Sequence, residues 1–246
     1  MDPAEYDYLF ELEDTLWWFV GQRRICYNLL RKHLGPPDRP LKVLDAGCGT
    51  GGSLPLLERF GQVTSFDFEA RAMEMFASRQ RARLAVASTD AIPFADNTFD
   101  LVTSFDVICQ LDSPADQKAL SEMARVLKPG GLLLVRTPAL QMLYGSHDRT
   151  LHTKHRYSTG EMSSKMQSSG LRVVQATYAN TILFPIALVR RMIAKLTNRP
   201  PGESDVRAVP PPLNTALTWV LTAEGEILKR TSLPVGLSVI ALAKKT

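Results

Sequence analysis

The sequence has few of the features that mark secreted, metal-binding or membrane-spanning proteins. Its three cysteines, Cys26, Cys48 and Cys109, fit neither a disulfide framework nor a zinc site, so a reducing cytosol is the expected compartment. The longest apolar run, residues 182–189, is too short to span a bilayer. Residues 1–15 are acidic and lack the basic and then apolar start of a secretory signal. These absences predict a cytoplasmic protein, with peripheral attachment to a membrane left open.

Charge is distributed unevenly along the chain. Residues 1–146 carry a net charge of −4, with 15 basic and 19 acidic residues, whereas residues 147–246 carry +8, with 14 basic and 6 acidic residues. A basic surface suits phosphate, an acidic sugar or anionic lipid, and it is equally compatible with ordinary solvation. Because no nucleic-acid-binding motif is present, we expect no nucleic acid partner.

Apolar, strand-like segments alternate with helical segments, which is typical of a parallel sheet covered by helices on both faces. The predicted strands are residues 41–46, 62–66, 84–87, 99–104, 132–136, 171–178 and 236–243. The predicted helices are residues 53–60, 69–83 and 115–127, the last of which is expected to stop at Pro129-Gly130-Gly131. The sequence therefore predicts a single α/β domain over residues 1–246, with a doubly wound, seven-stranded and mostly parallel sheet.

A long segment separates the last two predicted strands. Apolar residues spaced by four, three, four and three predict one helical face, at Ile182, Ile186, Val189, Ile193 and Leu196. A second apolar helix is predicted within residues 213–228, after a proline-rich connection over residues 198–212. We expect a helical insertion over residues 181–231 and an amino-terminal helical cap over residues 1–35. The insertion suits contact with a membrane surface or a lipid-like acceptor, homodimer packing, or a plain extension of the core.

The most informative segment is the glycine-rich loop after the first strand. Asp45 ends the strand, and Gly47, Gly49, Gly51 and Gly52 follow it. Glycines let the chain turn sharply and let a ligand approach bare backbone, and a helix start presents free N–H groups. The spacing fits both the G-x-G-x-x-G pattern of dinucleotide-binding proteins and the D-x-G-x-G-x-G pattern of methyltransferases that use S-adenosylmethionine (SAM). The glycines alone therefore leave NAD and SAM open.

Asp67 ends the second predicted strand, 20 residues after Gly47. A carboxylate at this place accepts hydrogen bonds from the ribose hydroxyls of either cofactor, or it caps the following helix. Asp67 therefore does not decide between the two cofactors.

Three further segments decide between them: residues 88–94 (STDAIPF), 99–102 (FDLV) and 125–131 (RVLKPGG). Together with the glycine-rich loop, their order and spacing resemble the class I SAM-dependent methyltransferases. The resemblance is strongest to the type 11 group related to the methyltransferases of ubiquinone and menaquinone biosynthesis, and it covers roughly residues 41–138. It implies a Rossmann-like methyltransferase fold, SAM as cofactor and S-adenosylhomocysteine (SAH) as product.

The resemblance also implies roles for individual residues. Asp67 matches the ribose-binding acid, and Phe68 matches the apolar residue on the adenine face. Asp90 matches the acid that binds the adenine amino group, and the Ala91 amide matches the one that meets the ring. The other predicted cofactor residues lie in the glycine-rich loop or at the end of the fourth strand: Asp45, Gly47, Cys48, Gly49, Gly51 and Phe105. Gly47 and Gly49 match the glycines under the methionine part.

The two ends of the chain resemble a bacterial subfamily of these methyltransferases. The resemblance rests on Trp17-Trp18-Phe19, on His147-Asp148 and on His152-x-x-His155-Arg156-Tyr157. Many relatives have Glu-His where this chain has Cys109-Gln110, so a catalytic histidine at that place does not carry over. Cys109, on an apolar stretch, is expected to be a packing residue.

The histidine-rich segment after the fifth strand is the predicted acceptor side. Ligands bind beyond the carboxyl ends of parallel strands, so this segment is well placed to reach an acceptor. Methyl transfer to a hydroxyl needs a base, and histidine suits that task near neutral pH. We predict His147 as the base, oriented by Asp148, with His152 as a further catalytic candidate.

The predicted acceptor-binding residues are Trp17, Trp18, His155, Arg156 and Tyr157. A polar network that pins the loop to Trp17 and Trp18 is the competing interpretation. The possible metal ligands in this segment form a loose set, so no metal is predicted.

The sequence thus predicts a bacterial-type SAM-dependent methyltransferase that acts at oxygen on a small-molecule acceptor or on a lipid- or sugar-linked one. Methylation of nitrogen or carbon, and a SAM-binding scaffold without catalysis, remain as alternatives. Peripheral membrane contact or a homodimer through residues 181–231 is also left open.

Overall fold

In the computed structural model, the described residues are 8, 10–36, 38–78, 83–196 and 208–246. The helices are α1 (Trp17–Leu34), α2 (Leu54–Leu57), α3 (Ala70–Ser78), α4 (Ala115–Val126), α5 (Ser146–Thr150), α6 (Thr159–Ser168), α7 (Phe184–Leu196) and α8 (Pro211–Leu228). The strands are β1 (Leu41–Ala46), β2 (Gly61–Asp67), β3 (Arg83–Val86), β4 (Phe99–Phe105), β5 (Leu127–Pro138), β6 (Leu171–Ala179) and β7 (Ser238–Lys245).

The seven strands form one sheet in the order β3-β2-β1-β4-β5-β7-β6. The pairs of β1 with β2, β1 with β4, β2 with β3, and β4 with β5 are parallel. Only β7 runs the other way, antiparallel to both β5 and β6. The predicted doubly wound, mostly parallel sheet is therefore confirmed, and β6 ends at the same edge as β1, β4 and β5.

The sheet is buried on both faces. Successive residues of a strand point to opposite faces, so Val43 and Leu44 belong to two different apolar clusters. In the same way Leu133 packs on one face and Leu132 and Leu134 on the other. This explains why the predicted strands read as nearly continuous apolar runs instead of alternating ones.

Two predicted helices are shorter in the structure. The helix predicted over residues 53–60 is only Leu54–Leu57, because the Phe60 N–H bonds to the Leu57 carbonyl and closes a turn before β2. The helix predicted over residues 69–83 is described for Ala70–Ser78, and Arg83 already belongs to β3. Residues 79–82 lie outside the described residues.

Strand β5 is longer than predicted. It begins at Leu127, directly after α4, and includes the Pro129-Gly130-Gly131 segment that was expected to lie outside any strand. The pairing with β4 shifts register here, from Phe99 opposite Leu127 to Leu101 opposite Leu132. An irregularity of this kind lets the strand carry proline and glycine, which are turn residues in a regular segment.

Helix α1 and the second helix of the insertion, α8, lie over the same face of the sheet. Ile25 and Leu29 of α1 share one apolar cluster with Leu221 and Leu228 of α8. Residues 198–207 of the predicted proline-rich connection lie outside the described residues. Within the described part of the chain, no helix combines the length and apolar character needed to cross a membrane.

Candidate active site

The glycine-rich loop follows β1, at the point of the sheet where β2 lies on one side and β4 on the other. Gly47 has a φ of +81°, and a Cβ at this position would overlap the Val107 side chain. Gly49 has a φ of +53°, and no atom lies within 4 Å of where its Cβ would be. The loop therefore has one packed side and one open side, which is the geometry of a backbone cradle for a ligand.

Asp67, at the end of β2, contacts this loop directly. Its Oδ2 accepts a hydrogen bond from the Gly49 N–H at 2.8 Å. Its Oδ1 accepts one from the Glu69 N–H at 3.0 Å, just before α3. The predicted ribose-binding carboxylate is thus adjacent to the predicted methionine-binding glycine, and it also supports the start of the following helix.

Asp45 is buried beneath the loop. The Thr103 hydroxyl donates to its Oδ1 at 2.8 Å, whereas its Oδ2 has no partner among the described residues. Burial raises the pKa of this carboxyl to about 7, and the nearby Asp67 adds to the rise. A cationic group bound in the cradle would complement Asp45.

The predicted adenine side lies on the loops after β2 and β3. Phe68 is 76% exposed, which leaves its ring accessible for stacking on the adenine of a bound cofactor. Asp90 accepts a hydrogen bond from the Ser88 hydroxyl, which lowers the pKa of Asp90, and its carboxylate is 3.6 Å from Lys118. The Ala91 N–H donates to the Ser88 carbonyl at 3.2 Å and closes a tight turn.

Three predicted cofactor residues remain: Cys48 and Gly51 within the loop, and Phe105 at the end of β4. Gly51 has a φ of +88°, and a Cβ at this position would overlap the Phe76 side chain. Burial raises the pKa of the Cys48 thiol well above its usual range, so this cysteine stays neutral. Phe105 ends β4, and the Arg136 guanidinium lies 5.1 Å from its ring centroid. Arg136 is ion-paired with Asp106, a residue with a φ of +58°. This pair was not predicted from the sequence, although adjacent strands in register place Phe105 opposite Arg136.

The amino-terminal segment covers the glycine-rich loop. The Thr50 hydroxyl donates to Glu13 Oε1 at 2.7 Å, and a Cβ at Gly52 would overlap the Glu13 carboxylate. Glu13 is itself buried. This contact was not predicted from the sequence, because no motif links two residues so far apart in the chain.

The predicted acceptor loop is held rigidly by buried polar contacts. The Arg156 guanidinium donates to Asp148 Oδ1 at 2.8 Å, and both side chains are buried. Asp148 Oδ2 also accepts from the Gly145 N–H at 2.8 Å, at the start of α5. Tyr157 is buried as well, and its hydroxyl donates to Asp116 at 2.9 Å. The structure thus gives Arg156 and Tyr157 contacts that fix the loop, and direct contact of either with an acceptor stays a prediction.

The three histidines of this loop are more accessible. His147 is half-buried in α5, and His152 is exposed with a φ of +55°. His155 is half-buried, and its Nε2 lies 2.9 Å from Glu161 Oε1. Glu161 was not predicted from the sequence, although Ser158-x-x-Glu161 has capping-box spacing and the Ser158 hydroxyl accepts from the Glu161 N–H at 3.1 Å.

The loop lies against the end of β4. The N–H groups of Lys154 and His155 both donate to the Cys109 carbonyl, at 2.7 and 3.2 Å. Burial raises the pKa of the Cys109 thiol to about 12, and the predicted packing role of Cys109 is confirmed by its place in the core. The histidine loop follows β5 and the glycine-rich loop follows β1, so the two loops lie at the same edge of the sheet with β4 between their strands.

The paired tryptophans stand at the start of α1. Their rings meet edge to face, with centroids 5.6 Å apart. The backbone N–H of Trp17 donates to Asn214 Oδ1 of α8 at 2.8 Å, and Trp17 packs on the apolar cluster under α1. Their predicted contact with the acceptor remains a prediction. Across the described residues, no group of three or more histidine, cysteine or acidic side chains is placed to hold a metal ion.

Fold and site together define a class: a Rossmann-like α/β protein with a nucleoside-cofactor cradle between β1, β2 and β4. The family model described as a methyltransferase domain matches residues 44–135. A malonyl-[acyl-carrier protein] O-methyltransferase of Enterobacter lignolyticus is 34% identical over 175 residues, which cover 68% of this chain and 67% of that protein. The chain belongs to the class I SAM-dependent methyltransferases, and its cofactor is SAM.

Other relatives match over different lengths. A demethylmenaquinone methyltransferase of Renibacterium salmoninarum is 39% identical over 121 residues, but the match covers only 47% of this chain and 48% of that protein. Among solved structures, a SAM-dependent methyltransferase of Thermotoga maritima superposes with a TM-score of 0.60 at 18% identity, covering 99% of this chain and 96% of that one. At that identity the likeness establishes the fold alone.

The raised pKa of the Asp45 carboxyl predicts that SAM binding depends on pH. SAM carries positive charge, so it binds better when the Asp45 carboxylate is ionised. Below the Asp45 pKa of about 7, this carboxyl is mostly protonated and must lose its proton for SAM to bind well. We expect the dissociation constant, measured by calorimetry, to rise as pH falls from 7.5 to 5.5, by up to about tenfold per pH unit. Asp45→Asn should bind SAM with no such slope over this range. The same slope in both proteins would contradict the assignment.

Proposed function

We propose that this methyltransferase transfers the methyl group of SAM to an oxygen atom of a small-molecule acceptor or of a lipid- or sugar-linked one. The observation that carries the proposal is the position of the histidine loop, which is fixed by Lys154 and His155 to the Cys109 carbonyl. The histidines of this loop lie at the same edge of the sheet as the glycine-rich loop, which supports a role for one of them as a base. A hydroxyl acceptor needs such a base, whereas an unprotonated amine does not.

The residues present fit SAM. Gly47 and Gly49 leave bare backbone for its methionine part, and the unpartnered Asp45 oxygen complements its positive charge. Asp67 would bind the ribose hydroxyls, and the exposed Phe68 would cover the adenine. When bound, SAM supplies a methyl group activated by a sulfonium, and cleavage of its carbon–sulfur bond leaves SAH.

On the acceptor side the chain's own groups orient the acceptor and remove its proton. His147 would take the proton of the acceptor hydroxyl on an imidazole nitrogen as the new methyl–oxygen bond forms. The buried Arg156–Asp148 pair keeps the backbone of α5 fixed, so that His147 need not be ordered anew in each turnover. Trp17 and Trp18 follow the amino-terminal segment whose Glu13 covers the glycine-rich loop, and they would exclude water from the acceptor side.

The names of the relatives support this choice without deciding it. The enterobacterial relative is named as an O-methyltransferase acting on a malonyl group carried by acyl-carrier protein. A relative from Drosophila melanogaster, named as a tRNA N(3)-methylcytidine methyltransferase, is 32% identical, but the match covers only 36% of that protein. Transfer to nitrogen is therefore the second candidate.

The proposal is tested with SAM that carries a ¹³C-labelled methyl group. The enzyme is incubated with small-molecule and lipid extracts of bacterial cells, and the labelled product is identified by mass and by NMR. An O-methyl product in either extract supports the proposal, whereas an N-methyl or C-methyl product overturns the oxygen assignment. SAM binding in calorimetry without transfer to either extract would favour a non-catalytic scaffold.

A further inference from the structure

Helix α7, the first helix of the insertion, has an exposed apolar surface. Ile186, Val189 and Met192 are 69%, 56% and 55% exposed. Of its residues whose side chains are described, none is buried. Isolated exposed apolar residues are ordinary, but three on one short helix form a patch that marks an interaction surface.

The charge on this helix has one sign. The α7 sequence contains Arg190, Arg191 and Lys195 and no acidic residue. It also lies in the part of the chain, residues 147–246, that carries a net charge of +8. Exposed apolar side chains on a basic helix are the pattern of helices that lie in the surface of an anionic bilayer.

The segment before α7 fixes the beginning of this helix to the core. The buried Glu224 carboxylate of α8 accepts hydrogen bonds from the N–H groups of Asn180 and Ile182. Because β6 ends at Ala179, α7 begins at the edge of the sheet that carries the glycine-rich loop. A surface that binds α7 would therefore lie near the active-site edge.

Helix α8 adds a second apolar element at this edge. Trp219 is 67% exposed, and Leu213 is also exposed. The amino-terminal end of α8 is bonded to the amino-terminal segment that covers the glycine-rich loop, since the Asn214 side-chain amide donates to the Thr15 carbonyl at 2.9 Å. Tryptophan is the side chain that sits most readily at a membrane–water interface.

We propose that α7, supported by Trp219, docks this enzyme on an anionic lipid surface with its active-site edge close to the bilayer. A symmetric dimer through the same face would bring two basic helices together, which charge repulsion opposes. An anionic surface instead complements the helix. The docking does not depend on which acceptor the enzyme methylates, so its test stands apart from that of the acceptor atom.

The test is co-sedimentation of the full chain with vesicles of phosphatidylcholine and phosphatidylglycerol, compared with vesicles of phosphatidylcholine alone. We expect binding to the anionic vesicles to be at least about tenfold tighter, and to weaken in high salt as the charge interaction is screened. The double variant Ile186→Glu/Val189→Glu should lose at least about tenfold in affinity for the anionic vesicles, because two exposed apolar contacts become charged.

A charge-matched control is Ser164→Glu/Gln167→Glu on α6, where both wild-type residues are exposed. It should bind anionic vesicles far more tightly than the α7 variant, and both variants should keep the SAM affinity of the wild type. Equal binding by the α7 variant and the wild type, or no wild-type binding, would overturn the proposal. A wild-type dimer in light scattering that the α7 variant dissociates would also overturn it, since the face would then join two copies.

Discussion

Replacing Asp67 with asparagine is expected to weaken SAM binding by about 100-fold, which corresponds to one or two charge-assisted hydrogen bonds. The carboxylate accepts from the N–H groups of both Gly49 and Glu69. Asparagine has one acceptor oxygen, so one of these N–H groups would face an NH₂ donor. The loss therefore combines a weaker contact with ribose and a less ordered glycine-rich loop. Calorimetric titration with SAM and with SAH measures it.

The matched control for this variant is Asp96→Asn, another acid-to-amide change. Asp96 is exposed and pairs with Arg125 on the surface, at 2.7 Å. SAM affinity should stay within about twofold of the wild type, because an exposed ion pair contributes less than about 1 kcal/mol. A dissociation constant of Asp67→Asn within threefold of the wild type would show that Asp67 only supports the loop and α3.

The positions of the predicted cofactor residues in the fold follow from the sequence because they are encoded locally. In an open parallel sheet the ligand-binding residues directly follow the strands, so finding β1, β2, β3 and β4 also locates Gly47, Asp67, Asp90 and Phe105. Boundary errors of one or two residues do not matter for this purpose. The extension of β5 through Pro129 was not predicted because it is not encoded locally: it depends on an irregular pairing with the neighbouring strand β4.

Contacts between distant segments were not predictable from local patterns. Nothing in the sequence around Glu13 indicates that it covers the loop at Thr50, and nothing around Glu224 indicates that it anchors the start of the insertion. Both are buried carboxylates, a residue type that is normally exposed. Each is buried because it satisfies hydrogen-bond donors brought there by the tertiary fold, and a single sequence carries no record of such a pairing.

The acceptor loop is an intermediate case. Its histidines are evident from composition. The sequence alone does not show which polar residues of the loop are free to meet an acceptor and which ones hold the loop in place. The structure makes that division for Arg156 and Tyr157, whose polar atoms are bonded to Asp148 and Asp116. His147 and His155 are half-buried and His152 is exposed, and which of the three acts as the base stays a prediction.

Replacing His147 with glutamine is expected to lower kcat by about 100-fold to 10,000-fold, the usual contribution of a general base, with SAM affinity unchanged. Glutamine keeps a polar side chain of similar reach, but it cannot take up the acceptor's proton. The matched control is Arg149→Gln, an exposed position in the same short helix, which should leave kcat within about twofold. Steady-state rates with the acceptor found in the labelled-methyl experiment provide the measurement. If kcat of His147→Gln stays near the wild-type value while kcat of His155→Gln falls by this amount, the base is His155, whose Nε2 lies 2.9 Å from Glu161 Oε1.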